Sequence, residues 1–195
     1  MLNAEILETL RGLIEQARRN GDPEPGAVNL ATVGADGKVS ARMVLLKQVD
    51  ERGLSFFTDY RSEKAEAIAA HAQVALTLHW KHLRPAAQVR VEGIVEKLGA
   101  DESDAYFATR ERLSQIGAWA SDQSRTLPDR ALLERKVADC EREFAGREVP
   151  RPPHWGGYLV APDMIEFWYA HEHRLNERVR WELRGGQWIS RLLHP

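Results

Sequence analysis

The sequence predicts a mainly β protein with inserted helices, an α+β chain built on a small antiparallel barrel. Three observations point there. Short stretches with apolar residues at every second position recur along most of the chain, several of them separated by glycine-rich turns. Helical periodicity is confined to the N-terminus, one short middle segment and a block at 101–147. The chain has 195 residues, without internal repeat or low-complexity linker, which fits a single domain spanning 1–195 around one core.

Taken in order, Ile6, Leu10, Leu13, Ile14 and Ala17 recur at three-to-four spacing, the mark of an amphipathic helix. Asn20-Gly-Asp-Pro-Glu-Pro-Gly26 ends it, so 1–26 reads as a helix and a link. Strands at 27–33 and 39–49 flank the turn Gly34-Ala-Asp-Gly37 and form a hairpin. In the second of them Val39, Ala41, Met43 and Leu45 share one face, and Ser40, Arg42, Val44 and Leu46 the other. A third strand at 54–58 precedes a short helix at 62–70 with Ser62 as its N-cap. Strands at 74–80 and 88–98 follow. The helical insert at 101–147 holds helices at 101–110 and 129–145, joined by a polar link at 114–128. After Val149-Pro-Arg-Pro-Pro153, strands are expected at 155–160, 165–169, 178–183 and 187–192, the last two joined by Arg184-Gly-Gly-Gln187.

Composition narrows the function. Lys and Arg total 27 against 29 Asp and Glu, a net charge of -2, so no global positive field exists to hold nucleic acid. No apolar run reaches the roughly 18 residues that cross a bilayer. The N-terminus lacks a basic region followed by an apolar one, so no membrane partner and a cytoplasmic location are expected. Cys140, the single cysteine, cannot form an intrachain disulfide and reads as packing on a helix. His171 and His173 offer two metal ligands without a third, so no metal is expected. The glycine-rich dinucleotide and phosphate loops and the zinc-protease motif are absent. Trp155, Trp168, Trp181 and Trp188 lie in expected strands and read as core or interface.

Tyr106, Arg110 and Ser114 are spaced by four, placing a phenol, a guanidinium and a hydroxyl along one side of a helix and its extension. That trio suits a phosphate: the Arg fork makes charge-assisted bonds and the hydroxyls complete the oxygen shell. A solvated helix face would show the same spacing. Arg42 and Lys47 sit in an otherwise apolar strand, where an unpaired charge is costly, and read as anion contacts.

Several blocks, in order, carry a family resemblance. They are Asn29-Leu-Ala-Thr-Val33, Ser40-Ala-Arg-Met-Val-Leu-Leu-Lys47, Gln88-Val-Arg-Val-Glu-Gly93 and Glu102-Ser-Asp-Ala-Tyr-Phe107. Ser114-Gln-Ile-Gly-Ala-Trp-Ala-Ser121, Val149-Pro-Arg-Pro-Pro-His-Trp-Gly-Gly157 and Ile165-Glu-Phe-Trp168 continue them. From about Asn29 to Pro195 the chain resembles the pyridoxine (pyridoxamine) 5'-phosphate oxidase family. The resemblance implies a Greek-key antiparallel split barrel that is homodimeric and holds FMN at the dimer interface, with residues 149–195 supplying dimerisation and active-site strands. It implies oxidation of pyridoxine or pyridoxamine 5'-phosphate to pyridoxal 5'-phosphate, oxygen being the acceptor and hydrogen peroxide the product, in vitamin B6 salvage. By that likeness Arg42, Met43, Val44, Lys47, Phe57, Thr58, Lys64, Gln88, Gln123, Ser124, Trp168 and Arg178 contact FMN. Lys47, Tyr106, Arg110, Ser114, Arg174 and Asn176 take the substrate, and Arg174 and Asn176 are the catalytic pair.

Three departures bear on activity. Asn176 stands where the family commonly has a histidine, and Asn cannot carry a proton near neutral pH. Glu63 replaces a common Arg beside Lys64. The stretch 80–88 is two residues longer than usual and holds Pro85-Ala-Ala87 where an Arg normally precedes the Gln. A flavin- or pyridoxal-phosphate-binding protein with altered substrate or weak catalysis is the alternative these departures leave open.

Overall fold

The computed structural model describes residues 1–195. Helix α1 (Ala4–Arg19) leads into strands β1 (Ala27–Val33), β2 (Val39–Asp50) and β3 (Gly53–Asp59). Helix α2 (Glu63–Ala70) connects to β4 (Gln73–Trp80) and β5 (Ala87–Lys97), followed by α3 (Ala100–Ala108), α4 (Arg112–Ala120) and α5 (Arg130–Glu143). Strand β6 (Trp155–Tyr169), a 3-10 turn (Glu172–Arg174), β7 (Glu177–Arg184) and β8 (Gln187–Leu192) complete the chain.

The first three strands form a meander, and the connection through α2 returns β4 to the free edge of β1, giving the Greek-key order 4-1-2-3. β5 and β6 extend the sheet from β4, and β6 pairs with β3, closing a six-stranded antiparallel barrel. β7 and β8 run on from β6 outside the ring. The alternation of the strands explains the interior, where Leu30, Leu54, Phe56, Leu78, Val89, Val91 and Ile165 are fully buried. The apolar stripe of α1 joins this core through Ile6, Leu10 and Leu13. Asn3 caps α1, its side chain accepting from the Ile6 N–H at 2.8 Å. Ser62 occupies the N-cap position of α2 without capping it, and its hydroxyl donates instead to the Asp59 carbonyl at 2.7 Å.

Two elements differ from the sequence expectation. The expected polar link contains α4, because Ile116 and Ala120, both buried, keep helical spacing beneath Ser114, Gln115 and Gly117. Ile116 packs with Phe107, Phe144, Val149 and Trp155 in a second, smaller core under α3 to α5. Cys140 lies against that cluster half-buried, and burial pushes its thiol up, disfavouring the thiolate.

The two strands expected at 155–160 and 165–169 are one strand, β6, which crosses Ala161-Pro162-Asp163 without ending. Along one edge its first half pairs with β3 as far as Val160, and its second half pairs with β7 from Met164. Pro162 falls in the gap, where no N–H is asked for on that edge. Opposite, the register with β5 shifts between Glu92 and Gly93, because β6 holds one extra residue, Asp163, as a bulge. A Cβ on Gly93 would stand 2.3 Å from the Ala161 carbonyl oxygen and 2.8 Å from the Pro162 Cα. Gly93→Ala is therefore expected to destabilise the fold by about 1–3 kcal/mol, because the obstacle is backbone. Urea unfolding checks this, and a wild-type midpoint would show that the strands can part freely there.

Candidate active site

A cleft of about 470 Å³ opens between β2, β3 and the helical insert. Ten of the residues singled out in the sequence line it: Met43, Val44, Lys47, Phe57, Thr58, Lys64, Tyr106, Arg110, Ser114 and Gln123. A larger hollow of about 580 Å³ between α1 and β2 shares only Lys47 with them.

One wall is aromatic. Phe57 stacks on Tyr106 with ring centroids 4.0 Å apart and on Trp155 at 5.5 Å. Gly157, next to Phe57 across the β3–β6 ladder, makes this possible, since a Cβ there would stand 2.8 Å from the Phe57 ring. Trp155, which reads from sequence as core or interface, both packs in the small core and lines the cleft.

Tyr106 is on α3, Ser114 on α4 and Arg110 in the short turn between them, so no continuous helix carries the trio. The break at 109–111 nevertheless leaves all three facing one cleft. The Arg110 guanidinium carbon lies 4.6 Å from the centre of the Trp155 ring and 5.6 Å from that of Phe107. Its Nη1 is buried without a hydrogen-bond partner, and burial lowers the basicity of the group. A buried, unsatisfied cationic donor is costly, and an anion in the cleft removes that cost.

A second cationic feature lies close by. The Lys64 ammonium donates to the Gln123 side-chain oxygen at 2.8 Å and to the Thr58 hydroxyl at 3.3 Å, while Thr58 donates to Gln123 at 2.9 Å. Arg42 donates to the Leu30 carbonyl at 3.0 Å, the Thr32 hydroxyl at 2.8 Å and the Ser40 hydroxyl. Neither cation forms a salt bridge with a carboxylate. Burial and the nearby Arg42 hold the Lys64 ammonium below its ordinary value, and burial does the same to Arg42. Glu63, exposed at the start of α2, partly offsets this by favouring both charged forms. Two half-desolvated cations held by neutral oxygens form a place for an oxyanion.

The remaining residues form a second group on β5, β6 and β7. Gln88, Trp168 and Arg178 are adjacent in register, a single row across three strands. Arg174 and Asn176 lie in the β6–β7 turn, where His173 and Arg174 adopt left-handed φ values of 54° and 61°. The Asn176 side-chain oxygen accepts from the His171 N–H at 3.1 Å and clasps this turn. Ser124, next to Gln123, has φ 69°. Backbone strain in non-glycine residues is thus confined to segments that carry candidate site residues. None of Gln88, Trp168, Arg174, Asn176 and Arg178 lines the cleft, nor do Arg42 and Ser124, so the candidate residues do not share one cleft within the chain. If the clasp presents Arg174, Asn176→Ala lowers kcat/KM severalfold without changing flavin affinity, and steady-state kinetics with a flavin titration check both.

Residues 14–142 match the family model described as pyridoxamine 5'-phosphate oxidase, and residues 155–195 match that of the pyridoxine 5'-phosphate oxidase C-terminal dimerisation region. A pyridoxine/pyridoxamine 5'-phosphate oxidase of Xanthomonas euvesicatoria is 48% identical over 196 residues, covering 100% of this chain and 98% of its own. One from Cupriavidus necator is 53% identical over 174 residues, 89% of this chain and 81% of its own. Among solved structures, PhzG from Burkholderia lata, in complex with tetrahydrophenazine-1-carboxylic acid, superposes with a TM-score of 0.91 at 29% identity, covering 100% of this chain and 98% of that one. An FMN-binding protein of Nostoc punctiforme shares the fold, with a TM-score of 0.75 at 17% identity over the full length of both. With two family models spanning both the cleft and the Gln88–Trp168–Arg178 strands, the chain belongs to the pyridoxamine 5'-phosphate oxidase family.

Proposed function

We propose that this chain is an FMN-dependent oxidase that converts pyridoxine 5'-phosphate or pyridoxamine 5'-phosphate to pyridoxal 5'-phosphate with release of hydrogen peroxide, in the cytoplasm and in vitamin B6 salvage. The observation that carries the reading is the buried, unpartnered Nη1 of Arg110, in a cleft shared with Tyr106 and Ser114. These three hold the substrate phosphate, and Lys47 reaches the substrate from β2. Arg42, Lys64, Thr58, Gln123 and Ser124 fit FMN, whose phosphate neutralises the two uncompensated cations. Bound FMN supplies the hydride acceptor and the route for electrons to oxygen. The protein's part is to bind, orient and desolvate.

Arg174 covers the substrate ring, and Gln88, Trp168 and Arg178 complete the flavin site from a second copy of the chain. Two observations support that homodimer. The parts of the site do not share a cleft within one chain, and β2 carries an exposed apolar row of Val39, Met43 and Leu45, with Met43 60% exposed. The chain's match to a C-terminal dimerisation region points the same way.

The test is direct. The purified protein is expected to carry flavin absorbance and to release peroxide with pyridoxine or pyridoxamine 5'-phosphate; a flavin-loaded protein inert toward both would sink the reading. A second reading, oxidation of a partly reduced aromatic carboxylate, draws on the likeness to PhzG, since an Arg fork serves a carboxylate as well as a phosphate. Turnover of such a carboxylate without turnover of the phosphorylated pyridines would favour it.

A further inference from the structure

Outside the Gln88–Trp168–Arg178 row, the same three strands carry a second row on the same face, Arg90, Glu166 and Arg180, two residues along. Its central member is unusual for the face of a sheet turned away from the barrel core. Glu166 is 2% exposed, between the core residues Ile165 and Phe167 that point the other way. Its Oε1 accepts from Arg178 Nε at 2.9 Å, and its Oε2 accepts from Arg180 Nη2 at 2.7 Å and Nε at 3.0 Å. Arg90 stands 3.8 Å from the same Oε2 and is drawn off by Glu92 at 3.1 Å. Burial works against the Glu166 carboxylate, yet the hydrogen bonds from Arg178 and Arg180 outweigh it and hold the group ionised, below the usual carboxylate range. Arg178 is fixed at a second point, its Nη1 donating to the His194 carbonyl at 3.0 Å. Nε and Nη1 are thereby engaged within the chain, and Nη2 is left to meet a ligand.

We propose that Glu166 is a positioning residue, a buried acceptor that locks the Arg178 guanidinium beside Trp168 and sets flavin affinity through Arg178 without touching the ligand. The inference rests on the flavin reading above. It makes a prediction opposite in sign to bare electrostatics. FMN carries a phosphate, so removing a nearby carboxylate should, by charge alone, tighten binding. Positioning requires the reverse, because a glutamine at this site keeps one acceptor oxygen and turns an N–H toward one of the two guanidinium groups.

The experiment is titration of full-length apoprotein with FMN, followed by flavin fluorescence, for the wild type, Glu166→Gln, Arg178→Ala and the double variant. Glu166→Gln is expected to raise the Kd at least about tenfold, Arg178→Ala by a similar factor, and the double variant no further, as for residues acting as one unit. Arg180→Met, which leaves the Glu166–Arg178 bond in place, should bind FMN as the wild type does. If Glu166→Gln does not fold, Glu166→Asp decides, since it keeps the charge and shortens the reach and is expected to weaken binding severalfold. Unchanged or tighter binding in the Glu166 variants, additive losses, or an equal loss in Arg180→Met overturns the assignment while leaving the flavin reading intact. A wild-type chain that binds no FMN overturns both.

Discussion

Arg110→Ala is expected to raise the KM for pyridoxine 5'-phosphate by one to two orders of magnitude. A hydrogen bond to a charged group contributes about 1.5–3 kcal/mol, and each 1.36 kcal/mol is a factor of ten. The effect should fall mainly on KM, because a phosphate remote from the reacting carbon is gripped equally in the ground and transition states. The substitution also removes the one side-chain nitrogen that is buried without a partner, so the apoprotein should not lose stability on that account. Peroxide release measured against substrate concentration checks the first part and thermal unfolding of apoprotein the second. An unchanged KM would place the phosphate elsewhere.

The second large effect concerns Lys64. Lys64→Ala is expected to weaken FMN binding by about ten- to a hundredfold, again from one charge-assisted contact. Its pH dependence has a definite sign. Because burial and Arg42 hold the ammonium below its ordinary value of 10.5, its proton is lost earlier on the alkaline side. An anion favours the charged form, so flavin affinity should fall as pH rises through that lowered pKa. The apoprotein responds the other way, since charged Lys64 opposes folding in full below its folded pKa, and that penalty shrinks as pH rises through the folded pKa and is gone only above the unfolded value. Flavin titrations across alkaline pH should show this fall in the wild type and not in Lys64→Ala. Parallel curves would assign the dependence to another group.

Much of the barrel was legible where its strands alternate: the faces of β2 follow from its sequence, and Leu46 is buried while Met43 and Leu45 are exposed. Where the reading failed, a local signal misled. The strand was read as two, at 155–160 and 165–169, and only the partner switch of β6 shows why it continues through Pro162. Ser114, Gln115 and Gly117 masked the periodicity of α4. In the site, the Tyr106, Arg110 and Ser114 spacing was visible, but the orphaned Nη1 was not, since a missing partner is a tertiary property. Trp155 carries nothing in its neighbours that separates a core indole from one lining a cleft. Glu166 was hidden most completely. Its role depends on cross-strand register, which places Arg90 and Arg180 on either side of it, and register cannot be read from one strand alone.

The β3–β6 ladder has a consequence for how the chain is made. Leu54 pairs with Val160, so closing the ring must wait for residues roughly a hundred positions downstream, a connection slow to form in any chain. Until then β3 has one unpaired edge, and the strands before α3 form an open sheet that a neighbouring nascent chain could extend. A ribosome-bound fragment ending near residue 150 should therefore bind chaperones and aggregate on release, whereas one that includes β6 should not. The last third of the sequence holds the clasp that protects the first two thirds from their own edges.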